Sequence, residues 1–372
     1  MAMENDEMTY RIALSNIRGM GVDLARKLLD VTGDERTFFD MDERRLRSIT
    51  GSRSRIYQHA YRQEMLAKAR REMEYLSQHP VRARYFTDTD YPYRLLQAED
   101  APLVLYTAGE CNLNARHIVS VVGTRHATAY GIRICQELIA DLAQKLPGTV
   151  IVSGLAYGID ITAHRAAMQA GLPTVAVMAS GLNTIYPAAH RNDAAAMVHH
   201  GGMTLTEYTS QDVMHRGNFL ARNRIIAGLS DCTVVVESAA TGGALVTASL
   251  AMSYNRDVFA VPGRVNDEFS RGCNRLVQSN QAAVVTCADD LLAAMNWQPV
   301  PASAEEPVQR ELFPELTQQE QAVVDALREL GEVHINDLSH HLKLPVYQVM
   351  ATLVELDCRH VVMALPGSRY SL

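Results

Sequence analysis

Seven short, strand-like segments dominate the sequence, each closed by a Gly- or Ser-rich loop and most leading into a helix-like stretch. They are Ile118–Val122, Thr149–Ser153, Thr174–Ala179, Met203–Glu207, Cys232–Glu237, Asp257–Val261 and Ala283–Thr286. Their starts lie about 25 to 31 residues apart, which is the length of one strand plus one return helix in a parallel sheet. The spacing therefore predicts an α/β fold built on a parallel sheet.

The carboxyl ends of these predicted strands carry small and basic residues. They read Gly123-Thr124-Arg125, Ser153-Gly154, Thr241-Gly242-Gly243 and Pro262-Gly263-Arg264. Ligands of a parallel sheet bind outside the carboxyl ends of its strands, and a helix start leaves backbone N–H groups open to a phosphate. No obvious catalytic group occurs among these residues. We therefore predict a binding site, rather than a reaction centre, at this edge of the sheet.

Several cofactor classes are disfavoured by the same segments. The first strand is followed by GTRHATAYG instead of GxGxxG, and the second ends in Ser153-Gly154 instead of an acidic residue that would hold an adenosine ribose, so NAD is not expected. Neither GxxxxGKS nor GxxxxGKT occurs, which excludes an ATP-hydrolysing P-loop. The six cysteines form no CxxC pair and show no zinc-site spacing. We expect neither a cofactor nor a metal.

The length and composition indicate a multidomain cytoplasmic protein. A chain of 372 residues is too long for one ordinary domain. No apolar stretch approaches the length of a membrane span, and the acidic N-terminus MAMENDEMTYR lacks the pattern of a secretion signal. The net charge of −7 argues weakly against nucleic acid, but charge is unevenly distributed: Arg44 to Arg71 hold nine Lys or Arg against the single acid Glu64. Such a local basic face can bind phosphate even in an acidic protein.

Arg125 is the residue that the sequence singles out most sharply. Its guanidinium is predicted at the carboxyl edge of the sheet, near the N-terminus of a helix that Thr128 is placed to cap. The alternative is a salt bridge to a nearby carboxylate. We favour anion binding, because a ligand crevice is expected at this edge.

Residues 214–226, MHRGNFLARNRII, form a second basic segment, which we predict to be a loop. Phe219 lies among arginines that include Arg222 and Arg224. An aromatic ring flanked by cations suits single-stranded nucleic acid, because bases stack on the ring while cations follow the backbone. Phe219 could equally anchor the loop in the core, and Asn223 with Arg224 could brace the loop internally.

Three domains are expected along the chain, with a linker before the last. Residues 1–80 are predicted to form a helical domain of the helix-hairpin-helix or SAM-like kind, and residues 81–296 to form the sheet domain. Residues 297–315 hold four prolines, which disfavour a continuous helix, and are predicted to be a linker. Residues 316–372 show winged-helix order, with a capping box at Thr317 and Glu320 and a closing β-ribbon that turns at Pro366-Gly367.

The predicted recognition helix of this winged helix has the wrong charge for DNA. Residues Pro345–Asp357 contain no Lys or Arg and end with Glu355 and Asp357. Because phosphate attraction dominates affinity for DNA, this helix should read a DNA groove poorly. We expect it to contact proteins or to regulate.

The order of the motifs resembles that of the DNA-processing protein A family, also called DprA or Smf. The matching segments are SVVGTRHATAYG, VSGLAYGIDITAHRAA, ASGLNTIYP, GNFLARNRIIAGLS, TGGALVTASLA, VFAVPG and SRGCNRLVQ, which lie within roughly residues 84–295. The resemblance implies a non-enzymatic protein with a Rossmann-like domain that binds single-stranded DNA and loads the recombinase RecA onto it, chiefly during natural transformation. It also implies a homodimer formed through the Rossmann-like domain.

The resemblance assigns DNA-binding residues position by position. The arginine of the family's Gly-Ser/Thr-Arg loop is Arg125, and the basic residues of its Arg-Asn-Arg segment are Arg222 and Arg224. Tyr157 stands where the family often has an arginine, and its ring would offer a stacking surface in place of a charge. The full set predicted to bind DNA is Gly123, Thr124, Arg125, Ser153, Gly154, Tyr157, Phe219, Arg222, Asn223, Arg224, Gly242 and Gly243.

Two other functions stay open at this point. The first is an enzyme that acts on a nucleotide or nucleoside monophosphate in the same crevice. Related phosphoribohydrolases have a PGGxGTxxE loop whose glutamate matters, whereas this chain reads TGGALVTASL with no acid between Glu237 and Asp257. Asp160 and His164 share a helix face, but such a pair is more often a helix cap and a packed histidine than a catalytic dyad. The second is an adaptor that contacts only proteins.

Overall fold

The chain separates into two units, Met1–Ala302 and Ser303–Leu372. The structure is a computed structural model, and it describes residues 2–50, 54–300, 316–358, 361–365 and 368–372. The N-terminal helices and the sheet both belong to the first unit. The turn predicted at Pro366-Gly367 and residues 301–315 of the predicted linker lie outside the described residues. The domain boundaries at residues 80, 296 and 315 stay predictions.

Five helices form the N-terminal part of the first unit. They are α1 (Ala2–Ser15), α2 (Val22–Thr32), α3 (Glu35–Asp40), α4 (Glu43–Thr50) and α5 (His59–Gln78). Arg62, which belongs to the basic run predicted as a possible phosphate-binding face, is fully buried in α5. Its guanidinium donates to the carbonyl oxygens of Phe39 and Met41, both at 2.7 Å. This arginine therefore satisfies carbonyl groups at the end of α3 and adds nothing to a basic surface.

The centre of the first unit is a nine-stranded sheet in the order β1-β2-β6-β5-β4-β3-β7-β8-β9. The seven predicted strands are all present as β3 to β9, and they pair in parallel. The sequence did not predict β1 and β2, which join one edge in antiparallel pairing. The bounds are β1 Arg82–Tyr85, β2 Val104–Gly109, β3 Ile118–Val122, β4 Val150–Ser153, β5 Thr174–Val177, β6 Met203–Thr206, β7 Cys232–Val235, β8 Asp257–Ala260 and β9 Ala283–Val284.

Helices cover both faces of this sheet. They are α6 (Tyr93–Leu96), α7 (Ala129–Lys145), α8 (Ile159–Gln169), α9 (Arg191–His199), α10 (Arg216–Leu229), α11 (Gly243–Ser253), α12 (Arg271–Gln278) and α13 (Ala288–Met295). One core contains Ile139 of α7 and Leu291 of α13, and the other contains Ile225 of α10 and Ala248 of α11. Every residue of β3, β4, β5 and β7 is buried, which explains their largely apolar sequences. The predicted α/β class is confirmed.

Residues 216–229 form helix α10, so the prediction of a basic loop over 214–226 is wrong. Asn218 donates its Nδ2 to the carbonyl oxygen of Ala179 at 3.1 Å, and Arg222 donates Nη1 to that of Val177 at 2.9 Å. These bonds satisfy polar side chains on the buried face of the helix. Because polar and apolar residues share that face, the sequence lacks the apolar periodicity that predicts a helix.

The second unit is a winged helix, as predicted. It contains α14 (Gln318–Leu330), β10 (Val333–His334), α15 (Ile335–Leu342), α16 (Val346–Cys358), β11 (Met363–Leu365) and β12 (Arg369–Ser371). The capping box of Thr317 and Glu320 opens α14, and Val349, Leu353 and Leu356 of α16 are fully buried in its core. Within the ranges that the structure describes, no helix in either unit is long and apolar enough to cross a membrane.

Candidate functional site

The strand order reverses between β3 and β7, and a cavity lies at that point. β3 pairs with β4 on one side and with β7 on the other, which makes this the switch point where α/β sheets bind ligands. The loops after β3 and β7, together with part of α10, enclose a cavity of about 690 Å³. Eight of the twelve residues predicted to bind DNA line this switch-point cavity: Gly123, Thr124, Arg125, Phe219, Arg222, Asn223, Gly242 and Gly243.

The loop after β3 is braced by Glu237, a buried residue just past β7. The backbone N–H of Thr124 donates to the carbonyl oxygen of Glu237 at 2.8 Å. Thr128 donates to the Glu237 carboxylate through its backbone N–H at 2.9 Å and its hydroxyl at 2.5 Å. The same hydroxyl caps α7 by accepting from the N–H of Gly131, which confirms the predicted cap. Arg125 therefore sits between two anchored residues.

The start of α8 closes on the other side of the same loop. The N–H of Ile159 donates to the carbonyl oxygen of Thr124 at 3.2 Å. This approach requires Gly158, whose φ is +78° and where a Cβ would lie 2.1 Å from that carbonyl oxygen. Glycine meets both demands, since it adopts positive φ without strain and has no Cβ.

Arg125 is exposed at the mouth of the switch-point cavity and lies against aromatic rings. Its guanidinium carbon is 5.4 Å from the centre of the Phe219 ring, and Phe219 meets Tyr186 edge to face at 5.4 Å. Among the described residues, Arg125 forms no ion pair, so the salt-bridge alternative is not realised there. Sequence analysis missed Tyr186, because its segment ASGLNTIYP carries no basic residue and only the fold brings it beside α10.

Arg222 and Asp160 form a buried pair of opposite charge in the wall of the cavity. They are 3% and 7% exposed. Burial lowers the pKa of Arg222 and raises the pKa of Asp160, and each charge partly offsets the effect on the other. A Cβ at Gly154 would lie 1.6 Å from Nη1 of Arg222, so the guanidinium fills the space that this glycine leaves. The Nε of Arg222 has no hydrogen-bond partner among the described residues.

Helix α11 begins at the cavity without a side-chain cap. Its N-cap residue, Gly242, is exposed, and Asn223 donates to the carbonyl oxygen of Gly243 at 3.3 Å. The first N–H groups of a helix lack intrahelical partners and carry partial positive charge. Among Arg, Lys, Asp and Glu residues, those that line the cavity are three arginines, at positions 125, 216 and 222, and one acidic residue, Asp160. The cavity therefore attracts anions.

Three other predicted residues lie next to the cavity rather than in it. Gly154 and Tyr157 line a smaller cavity that also contacts Arg125 and Phe219. Ser153 is fully buried, and its hydroxyl donates to the carbonyl oxygen of Val121 at 2.6 Å. Ser153 therefore supports the end of β4 and lines neither cavity.

Arg224 is engaged away from the cavity. Its guanidinium donates to the carbonyl oxygen of Asp100 and forms an ion pair with Glu207. Burial raises the pKa of Glu207, and Arg224 opposes that rise. The two side chains are 16% and 17% exposed. The structure does not bring Arg224 together with the other predicted residues, and its contacts agree with the alternative of internal bracing.

Asp160 and His164 are not arranged as a catalytic dyad. His164 is fully buried, and its Nε2 accepts from the N–H of Leu155 at 3.3 Å while Nδ1 lies 2.7 Å from the hydroxyl of Thr174. Burial, together with nearby Arg222, lowers the pKa of His164 to about 3. A neutral, packed histidine fits these contacts. Across the described ranges, no group of three or more His, Cys, Asp or Glu is placed to hold a metal ion.

The fold and the cavity define a Rossmann-like protein with an arginine-lined cavity at the switch point of its sheet. The profile of the DNA recombination-mediator protein A family matches residues 82–296, and that of the DprA winged helix domain matches residues 307–368. The chain belongs to this family.

Individual relatives agree with that assignment. The chain is 40% identical over 210 residues to the DNA processing protein DprA of Streptococcus pneumoniae, covering 56% of this chain and 73% of the relative. It is 34% identical to the protein Smf of Escherichia coli over 74% of each chain. The X-ray structure of the S. pneumoniae protein matches with a TM-score of 0.63 and 32% identity over 76% of this chain and 95% of that one.

A second solved structure concerns the single-stranded DNA binding mode of DNA processing protein A from Helicobacter pylori. It matches with a TM-score of 0.51 and 28% identity, and the match covers 58% of this chain and 96% of that chain.

Replacing Arg224 by leucine should lower the free energy of unfolding of the first unit by about 1–3 kcal/mol, because the half-buried Glu207 is left without its partner. Urea unfolding followed by circular dichroism measures the loss. The double variant Arg224→Leu, Glu207→Leu should recover most of it, because an apolar pair leaves no buried charge. Unchanged stability in the single variant would contradict the bracing role.

Lowering the pH from 7 to 5 should cost about 2 kcal/mol of unfolding free energy through His164. The unfolded chain takes up a proton near the ordinary pKa, whereas the folded protein does so only near pH 3. This stability is therefore present above the unfolded pKa and is lost as the pH falls. Urea unfolding at each pH should show a shallower pH dependence in His164→Gln, while the exposed control His199→Gln keeps the full slope.

Proposed function

We propose that the chain binds single-stranded DNA, without sequence preference, in the switch-point cavity. The observation that carries this proposal is the excess of positive charge at the cavity. Three arginines and the uncapped start of α11 meet there, and only one carboxylate is among the lining residues. Phosphates are attracted by arginine charge and by helix N-termini together. The described binding mode of the H. pylori relative supports the same ligand for this chain.

Arg125 and Arg222 would act differently on the phosphates. Arg125 is exposed, stands on a braced loop and can meet a phosphate as the strand arrives. Arg222 is 3% exposed and is held by Val177, so it supplies a fixed charge in the cavity wall. Arg224 is excluded from this proposal, because Glu207 and Asp100 occupy its donors.

Bases would stack on aromatic rings at the rim while the phosphates lie in the cavity. Tyr157 and Tyr186 are 49% and 43% exposed, and both line the small cavity beside Arg125 and Phe219. Every base has a π-face, so stacking on these rings tolerates any sequence. The rim thus explains how a strand could bind without base-specific hydrogen bonds.

The family to which the chain belongs supports a role in recombination. We propose that the chain loads the recombinase RecA onto the bound strand during natural transformation, and that it works as a homodimer. Two cavities in one dimer would raise the avidity for a strand long enough to reach both. In this role the chain holds and transfers DNA and carries out no chemical step.

Arg125→Ala should weaken binding of a short labelled oligo-dT by about tenfold to a hundredfold, because a charge-assisted hydrogen bond to phosphate is lost. Fluorescence anisotropy across a salt series measures the affinity. The log–log salt slope should be about −0.7 per phosphate contacted and should become shallower in the variant. The matched control Arg275→Ala removes an exposed arginine of the same unit that does not line the cavity, and it should bind like the wild type.

Duplex DNA of equal length is the comparison that decides the ligand. Equal, weak binding of duplex and single strand, unaffected by Arg125→Ala, would contradict the proposal. Release of base from a nucleoside monophosphate by the pure protein would favour the enzyme instead.

RecA loading is tested separately by RecA-dependent ATP hydrolysis on single-stranded DNA. The wild type should accelerate this hydrolysis, and Arg125→Ala should not.

Tyr186→Ala and Tyr157→Ala should each weaken oligo-dT binding by about 1–3 kcal/mol, the usual loss when a base loses its stacking partner. The same variants should bind an abasic strand of equal length as the wild type does, since that strand has phosphates and no bases. Tyr→Phe at either position should restore binding, and Tyr93→Ala, an exposed tyrosine outside both cavities, should change nothing. A loss of equal size on the abasic strand would show that the tyrosine only supports the fold.

A further inference from the structure

Helix α16 of the winged helix turns an apolar face to solvent. Its core side holds Val349 and Leu353, which are fully buried. Its outer side presents six exposed residues, of which five are apolar and one is charged: Val346, Tyr347, Met350, Ala351, Val354 and Glu355. Tyr347 is 71% exposed and Val354 is 52% exposed. We call the five apolar residues the α16 face.

The α16 face lacks the groups that read DNA. A recognition helix in a major groove offers hydrogen-bond donors to bases and cations to phosphates. The side chains of the α16 face include one hydroxyl, that of Tyr347, which already lies 3.3 Å from the amide of Gln348. The remaining side chains are aliphatic or a thioether. The second unit therefore has the winged-helix fold of many DNA-binding domains, but the exposed side of its recognition helix is suited to apolar contact.

The unit that carries this face has an excess of acidic side chains. Residues 316–372 contain seven acidic side chains and four Lys or Arg. Two of those cations, Arg328 and Arg369, are already paired with Asp325 and Glu332. Glu355, at the end of the face, has no ion-pair partner among the described residues of this unit. An occupant of the face would therefore meet apolar side chains first and negative charge at one end.

We propose that the α16 face binds an amphipathic helix of another protein that carries lysine or arginine beside its apolar stripe. The positions 346, 350 and 354 repeat every fourth residue and extend for about 12 Å along the helix, at 1.5 Å per residue. This is the spacing at which a second helix packs its own i, i+4 and i+7 side chains. The basic residues of the partner meet Glu355 and the neighbouring Asp357.

A second copy of the same face is the less favourable occupant. Parallel packing of two α16 helices would bring Glu355 of one copy beside Glu355 of the other, and like charges at an interface oppose association. Antiparallel packing would set each Glu355 against the apolar Val346 end of the other helix, and α16 itself offers no Lys or Arg to pair with it. A partner with basic residues turns the same carboxylates into favourable contacts. Charge therefore selects a different protein as the occupant.

The test uses the full chain and two labelled peptides of about 18 residues, long enough to form a helix on binding. Both peptides carry the same leucine stripe, one with lysine and the other with glutamate on the polar side. Fluorescence anisotropy should show the lysine peptide binding about tenfold more tightly, and Tyr347→Ser or Val354→Ser should each weaken it by about tenfold, as expected for buried interface anchors. Glu355→Lys should narrow the difference between the two peptides.

Leu330→Ser is the matched control, because Leu330 is an exposed apolar residue of α14 outside the α16 face. It should leave peptide binding unchanged. Circular dichroism verifies that each variant is folded, and unaltered oligo-dT affinity shows that the result is independent of the DNA-binding proposal. Peptide binding that does not respond to Tyr347→Ser and Val354→Ser overturns the proposal. A fall in duplex DNA affinity in these variants would also overturn the proposal, because it would show that the α16 face binds DNA. A fall in the molecular mass in solution would overturn it as well, because it would show that the face joins two copies of the chain.

Discussion

Glu237 is 2% exposed, and its carboxylate accepts two hydrogen bonds from Thr128 while its carbonyl oxygen accepts a third from Thr124. A buried carboxylate is costly unless donors surround it, so the loop after β3 cannot leave Glu237 without a large loss of stability. A Cβ at Gly131 would lie 2.1 Å from the same carboxylate, which shows how closely α7 approaches. Arg125 lies within this anchored segment, and a pre-positioned cation loses little conformational entropy on binding.

Arg222 links the stability of the fold to the chemistry of the cavity. A buried N–H without a partner costs about 1–3 kcal/mol, and the Nε of Arg222 is in that state among the described residues. Asp160 offsets part of the cost of burying the Arg222 charge. Asp160 is buried too, and burial raises the pKa of its carboxyl. An anion in the cavity would place a second negative charge near the Arg222 guanidinium, which lines the wall. The protein thus already bears the cost of burying the pair before a ligand arrives.

Local sequence predicts the sheet well, because both faces of a parallel strand are buried and its apolar run is visible without neighbours. It also predicts which loops reach the carboxyl edge. It cannot separate Arg222 from Arg224, which differ by two positions on α10 and therefore point in different directions. One meets Val177 at the end of β5 and the other meets Glu207 just after β6, and both contacts depend on the tertiary fold. The sequence does not predict Tyr186 as a site residue for the same reason, since its position beside Phe219 depends on tertiary packing alone.

In both units, the fold fixes where a binding surface lies, and the side chains on that surface decide what it can bind. In the first unit, the switch point places a cavity where helix N-termini meet, and the sequence adds arginines there. In the second unit, the fold offers a recognition helix, but the sequence fills its outer side with apolar residues and ends it with Glu355. A cation on that side would serve a DNA groove, whereas exposed Tyr347 and Val354 stay costly to hydrate until another apolar surface covers them. The two proposals therefore assign contact with nucleic acid and contact with protein to different units of one chain.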